Sequence, residues 1–297
     1  MKRLFAVTAA VLLAFTGCTT DTARRASAPA PKPVRVATVA VHYHDCTAPA
    51  SSDDAAKRNG ASLYAMSWSP FGRPEKGWAV YAPAVSHEIG SQCDADTAGF
   101  AEDLAAWQGK HGLPATGAMD VATFDAFKTV WQGRRPFVAL RAGGVCPNSP
   151  SDAELASARA DESYGGKKIE LRARVLDAYR RMVAAAREAL PDLRTRRELL
   201  TIFSAYRSPA YDAARCAREG NCQGVVRASC SAHRTGLAMD IDVGAAAGYS
   251  VDSSNDANRL YQAHGAAYRW LVANAPRFGF VNYAFEPWHW EWTGARA

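Results

Sequence analysis

The sequence has no CxxC pair, no stretch in which basic residues interleave with aromatics, and no apolar run of the ~20 residues that a membrane span needs. The first absence argues against a cysteine-based metal site. The second removes the surface that nucleic-acid binding requires, so nucleic acid is not an expected partner. The third argues against reading the apolar N-terminus as a membrane helix. Charge is also modest, with 22% of the 297 residues charged and a formal net charge of +6, its Lys and Arg scattered along the chain. What is present is a globular composition, 48% hydrophobic, with length for one large core and a smaller domain.

The N-terminus begins with Lys2 and Arg3, continues from Leu4 to Phe15 with only Thr8 polar, and ends in Phe15-Thr16-Gly17-Cys18. This resembles a bacterial lipoprotein signal, which implies that residues 1–18 direct export and that Cys18 carries a lipid. The expected product is a monomeric lipoprotein at the periplasmic face, held to a membrane by its N-terminal lipid. Thr19 in place of Asp after Cys18 favours the outer membrane. Loss of Lys2 and Arg3 lowers the net charge to about +4. Residues 19–35, with Ala-Pro-Ala-Pro-Lys-Pro-Val as their clearest stretch, cannot bury a core and read as a disordered tether. The remaining cysteines, Cys46, Cys93, Cys146, Cys216, Cys222 and Cys230, are even in number in an exported chain, so full disulfide pairing is expected. Sequence does not choose the pairing, although Cys216 with Cys222 would close a short loop.

Val36 to Val41 alternates weakly, as a strand would, and the following His42, His44, Asp45 and Cys46 read as strand-end residues rather than as a metal site. From Gly99 to Gln132 the period changes: Phe100, Leu104 and Trp107 share one helical face, and Phe124, Phe127 and Trp131 another. Between them lies Gly112-Leu113-Pro114-Ala115-Thr116-Gly117. With Trp107-Gln108 before it and Thr123 as a capping residue after it, this stretch resembles the small three-helix peptidoglycan-binding domain. The resemblance implies a wall-binding module at about 86–135 inside an N-terminal region 36–140. A helix pair that only packs is the alternative.

The expected second domain spans 141–297. A connecting segment from Cys146 to Tyr164 precedes a helix from about Lys168 to Leu190, whose stripe of Leu171, Val175, Leu176, Tyr179, Met182, Val183 and Ala186 is core and which Pro191 ends. Leu199 to Tyr206 reads as a buried strand.

Two stretches hold residues that packing does not explain: Ser231-Ala232-His233-Arg234-Thr235-Gly236-Leu237-Ala238-Met239-Asp240 and Glu286-Pro287-Trp288-His289-Trp290-Glu291. A catalytic zinc needs N or O ligands and one position open to water, and His233, Asp240 and His289 supply such a set. Gly236 permits a turn after His233, and the strand-like Ala238 to Val243 lets Asp240 point back across it. Glu286 and His289 are three apart, which a regular strand would set on opposite faces. Pro287 relaxes that constraint, leaving His289 to open a strand and Glu286 to lie beside the metal as a general base.

Ser-x-His-x-x-Gly-x-Ala-x-Asp followed by Glu-Pro-Trp-His resembles the VanY-type zinc D-Ala-D-Ala carboxypeptidase family over roughly Leu199 to Trp292. The resemblance implies an α+β fold, a small antiparallel sheet with helices on one side. It also implies a Zn2+ cofactor and peptidoglycan stem peptides as substrate. Within Ser204-Ala205-Tyr206-Arg207-Ser208 it gives Arg207 the role of binding the peptide's terminal carboxylate, and it makes Ser231 a neighbouring hydrogen-bond donor. Asp212 departs from the family's Gln five residues after that Arg, and a carboxylate there is expected to repel an anionic chain end. The expected reaction is hydrolysis of the terminal D-Ala-D-Ala bond by metal-activated water. An endopeptidase cutting stem peptides or cross-links, and a non-catalytic wall-anchoring lipoprotein, are the alternatives.

Overall fold

A computed structural model describes residues 46–220 and 230–294. The lipoprotein signal with Cys18, the tether, the Val36–Val41 segment, His42, His44, Asp45 and Cys222 lie outside the described residues.

The upstream part carries α1 (Asp53–Leu63), the short ribbon β1 (Ser67–Trp68) and β2 (Glu75–Lys76), then α2 (Ala82–Ile89), α3 (Ala98–Lys110), α4 (Val121–Gly133) and α5 (Pro136–Leu140). Helices α3 and α4 fall where the 3.6 periodicity set them, and their apolar faces are buried with Trp78 and Tyr81 in an aromatic core. The cap of α4 is Asp120, which accepts from the Thr123 N–H at 2.7 Å. Thr123 is instead a buried partner of Gln108 Nε2 at 2.9 Å. Gln108, fully buried, also accepts the Gly117 N–H at 2.8 Å and donates to the Ala118 carbonyl at 3.0 Å, so the Trp-Gln pair stitches the following loop onto α3. Gly117 has φ +66°, and a Cβ there would lie 2.5 Å from the Ala101 carbonyl oxygen, so no larger residue fits.

Downstream come β3 (Leu155–Ser157), β4 (Glu170–Arg172), α6 (Ala173–Ala189), α7 (Asp192–Thr195), β5 (Ile202–Ser204), α8 (Pro209–Glu219), β6 (Ala238–Ile241), α9 (Asp256–His264), α10 (Ala266–Asn274), β7 (Phe280–Asn282) and β8 (His289–Trp292). The principal sheet is antiparallel in the order β5-β6-β8-β7, which with its packed helices makes the fold α+β. The stripe of α6 packs with Ile202, Met239 and Ile241 of the sheet and Tyr268 and Leu271 of α10 in a second core. Each Val, Leu, Ile or Met side chain among them, once buried, contributes about 1.5–3 kcal/mol.

Two elements differ from expectation. The helix expected from Lys168 begins at Ala173, because residues 170–172 pair with β3 and bind the turn beside the site: Arg172 N–H donates to the Gly236 carbonyl at 3.2 Å, and the Glu170 carbonyl accepts the Tyr206 N–H at 2.9 Å. The strand expected from Leu199 is confined to Ile202–Ser204, since Leu200 sits at φ 67°, in the left-handed region that breaks an extended run.

Disulfides join Cys46 to Cys93 and Cys146 to Cys230. Cys46 is therefore unavailable as a metal ligand. Cys216 is disulfide-bonded as well, and its expected pairing with Cys222 falls outside the described residues. No helix among the described residues is long and apolar enough to cross a membrane.

Candidate metal centre

The central strands set two of the three expected ligands face to face: in the β6–β8 register Asp240 stands opposite His289. His233 comes from a single 3-10 turn, Ala232–Thr235, closed by Gly236 at φ 66°, whose N–H donates to the His233 carbonyl at 3.1 Å. A Cβ at Gly236 would also press on Arg172 Cγ at 3.2 Å, so this turn needs glycine both for its handedness and for its space. His233 Nε2 lies 3.2 Å from Asp240 Oδ2, and His289 Nδ1 lies 2.8 Å from Asp240 Oδ1. One donor atom from each of the three lies within 4.8 Å of the others, and all three residues are buried.

The far nitrogens of the imidazoles are already committed. His233 Nδ1 is 2.8 Å from the Ala205 carbonyl, an acceptor only, so it carries the proton and leaves Nε2 as the ligand atom. His289 is turned the other way: Nε2 faces Glu291 Oε1 at 3.4 Å and Nδ1 faces the centre. Two imidazoles and one carboxylate, converging with the second imidazole nitrogens engaged, are a donor set suited to zinc.

Charge at the site follows from burial and pairing. Burial and the neighbouring Arg207 guanidinium both push the His233 pKa down, keeping its lone pair available. Burial alone would raise Asp240, but the two imidazoles hold it far below the usual carboxylate range. For His289 burial opposes protonation, yet the carboxylates of Asp240 and Glu291 outweigh it and raise the pKa to about 9, so metal entry displaces a proton there.

Glu286 sits beside these donors without joining them. Its Oε2 is 3.9 Å from His289 Nδ1. The irregular backbone around Pro287 is a closed turn: the Glu286 N–H donates to the Tyr283 carbonyl at 2.7 Å and the His289 N–H to the Glu286 carbonyl at 2.9 Å. Burial, the largest influence, lifts the Glu286 carboxyl above its ordinary pKa, the direction that suits a group taking and giving a proton near neutrality.

Arg207 and Ser231 are joined by the residue expected to interfere. Asp212, buried in the first turn of α8, places Oδ1 3.0 Å from Arg207 Nε and accepts the Ser231 hydroxyl on Oδ2 at 2.8 Å. Its charge faces the arginine and the serine, and it holds both in place. Arg207 Nη1 contacts Ser204 Oγ at 3.3 Å.

Sequence reasoning missed two participants, Glu291 and Arg135. Glu291 lies inside the second motif, and its i, i+2 spacing from His289 on a strand is the signal. Arg135 pairs with it from 156 positions away and had no local signal.

Residues 168–295 match the family model described as VanY, D-alanyl-D-alanine carboxypeptidase. Solved structures that resemble the chain include the LdcB LD-carboxypeptidase, 24% identical over 49% of this chain and 71% of that one with a TM-score of 0.36. Another is a variant of the vancomycin-resistance D,D-pentapeptidase VanY in complex with Zn(II), 20% identical over 50% of this chain and 87% of that one with a TM-score of 0.30. Among curated proteins, nothing matches.

Proposed function

With a VanY domain at residues 168–295, we propose that the chain is a zinc peptidase of peptidoglycan that removes the terminal D-Ala from stem peptides. The observation that carries this reading is the convergence of His233, Asp240 and His289, with Glu286 beside the donors rather than among them. His233, Asp240 and His289 would hold the zinc ion, which would serve as a Lewis acid towards a peptide carbonyl and a water molecule. Glu286 then takes a proton from the attacking water and passes it to the departing amine, one carboxylate serving both steps. Arg207, paired in charge with Asp212, offers its guanidinium to the terminal carboxylate of the peptide, and Ser231, whose hydroxyl proton goes to Asp212, fixes the Asp212 carboxylate beside it.

Asp212 also favours a second reading. A carboxylate 3.0 Å from Arg207 offsets the charge that would select a free chain end, as expected of an endopeptidase acting within stem peptides or cross-links. The N-terminal sequence supports export and a lipid anchor, which would hold the enzyme beside the wall.

The test of the reaction is to measure zinc content and turnover of a D-Ala-D-Ala-terminated peptide for the native chain and for Glu286→Ala. The variant retains its zinc and loses about 10²–10⁴-fold in kcat. Native-like turnover by Glu286→Ala would exclude this mechanism.

A further inference from the structure

Glu291 is 1% exposed, and a buried carboxylate is costly unless its oxygens are paired. Three groups meet it. Arg135 donates from Nε at 2.8 Å and approaches with Nη2 at 2.6 Å, both on Oε1. The Phe137 N–H donates to Oε2 at 2.9 Å. His289 Nε2 completes the set at 3.4 Å. Arg135 is itself only 8% exposed. Its Nη1 donates to Gln132 Oε1 at 2.7 Å, and its guanidinium lies 4.0 Å over the Tyr283 ring, which meets His289 edge-on at 6.1 Å. Pro136 follows Arg135 and holds it extended, at φ −78° and ψ 123°, at the junction of α4 and α5.

A buried ion pair of this kind adds little net stability over apolar residues of the same size. It does aim an imidazole. A metal-binding histidine that donates its second N–H to a carboxylate is fixed in tautomer and in ring orientation, and the carboxylate has to be held in turn. In this chain the hold comes from outside the segment that matches the peptidase family, because Arg135 and Phe137 precede residue 168.

The upstream region reaches the catalytic loop by a second route. Arg259, fully buried on α9, contacts Glu75 Oε2 at 3.1 Å and donates to the Tyr81 hydroxyl at 2.6 Å. From the same guanidinium Nε donates to the Phe285 carbonyl at 2.9 Å, next to Glu286. Residues of β2 and α2's flank thus hold one side of the 283–288 loop while Arg135 holds the other.

We propose that Arg135 is a positioning residue for the metal ligand His289: through Glu291 it sets His289 with Nδ1 towards the metal, which makes the upstream helical region a structural part of the catalytic centre. The proposal rests on the reading of His233, Asp240 and His289 as a metal site.

The experiment is zinc affinity by chelator competition on the full chain, together with the visible absorption of its cobalt(II) form. Arg135→Ala is expected to bind zinc about 10–100-fold more weakly, with shifted cobalt bands, and Arg135→Lys to recover part of the loss. Arg134→Ala, which removes a surface partner of Glu88, is expected to bind as the native chain does. Should Arg135→Ala fail to fold, the nearly isosteric Glu291→Gln is expected to show the same weakening. Native affinity and native cobalt bands in folded Arg135→Ala, or in Glu291→Gln, would overturn the role of Arg135 while leaving the metal site standing. A native chain that binds no zinc, or binds it equally well as His233→Ala, would overturn the site and the proposal with it.

Discussion

His289 and Glu291 stand two residues apart on β8, one turned to the other metal donors and the other to Arg135. His233, Asp240, Glu286 and His289 were readable because each lies in a short motif whose chemistry demands its residue type. Glu291 was readable in principle from strand alternation, and Arg135 was not, because a partner from a distant segment leaves no periodicity behind. Glu291 also has a testable titration. Burial would raise its carboxyl, but His289, Arg135 and the Phe137 N–H hold it at about 2, below the ordinary 4.5. With the folded pKa depressed, its stabilisation is present above about 4.5 and is lost as pH falls towards 2. Urea unfolding of the metal-free protein across that window is expected to show stability rising with pH less steeply in Glu291→Gln than in the native chain. For Arg207, lost charge-assisted hydrogen bonds predict that Arg207→Ala raises KM about 10–100-fold for peptides ending in a free carboxylate. Steady-state kinetics checks this, and an unchanged KM would support cleavage away from the chain end.

At the scale of elements, the long helices and their buried stripes were legible because 3.6 periodicity and an apolar face specify them together. The strands were less so. Residues 170–172 carry enough helix-compatible side chains to extend α6 on paper, yet their backbone groups bind β3 and the Gly236 turn. Thr123 looked like a cap because threonine caps helices, while Asp120 took that place and Thr123 turned inward to Gln108. The Cys146–Cys230 disulfide ties the segment before β3 to the residue preceding Ser231, so it braces the turn that presents His233. Its sequence separation of 84 makes the unfolded chain pay heavily in closure entropy. Replacing both cysteines by serine is expected to cost about 2–5 kcal/mol, read as a lower Tm and a lower urea midpoint.

At the scale of the molecule, composition implies a globular chain with room for two domains, and the α+β peptidase domain with a helical region before it is what the resemblance of its motifs implies. The boundary drawn at 140 reflects a change in sequence pattern, whereas Arg135, Glu75 and Tyr81 tie the upstream helices to the loop and strand that carry Glu286 and His289. Such ties are long-range pairings between unlike segments, which a pattern read window by window does not contain. Whether this centre cuts the terminal D-Ala from peptidoglycan stems is decided by mass spectrometry of purified muropeptides. They would be incubated with the zinc-loaded chain, and with Glu286→Ala beside it. Pentapeptide stems are expected to lose one alanine with the native chain and to stay intact with the variant. Stems that stay intact with both, or lose alanine equally with both, would contradict carboxypeptidase action by this centre.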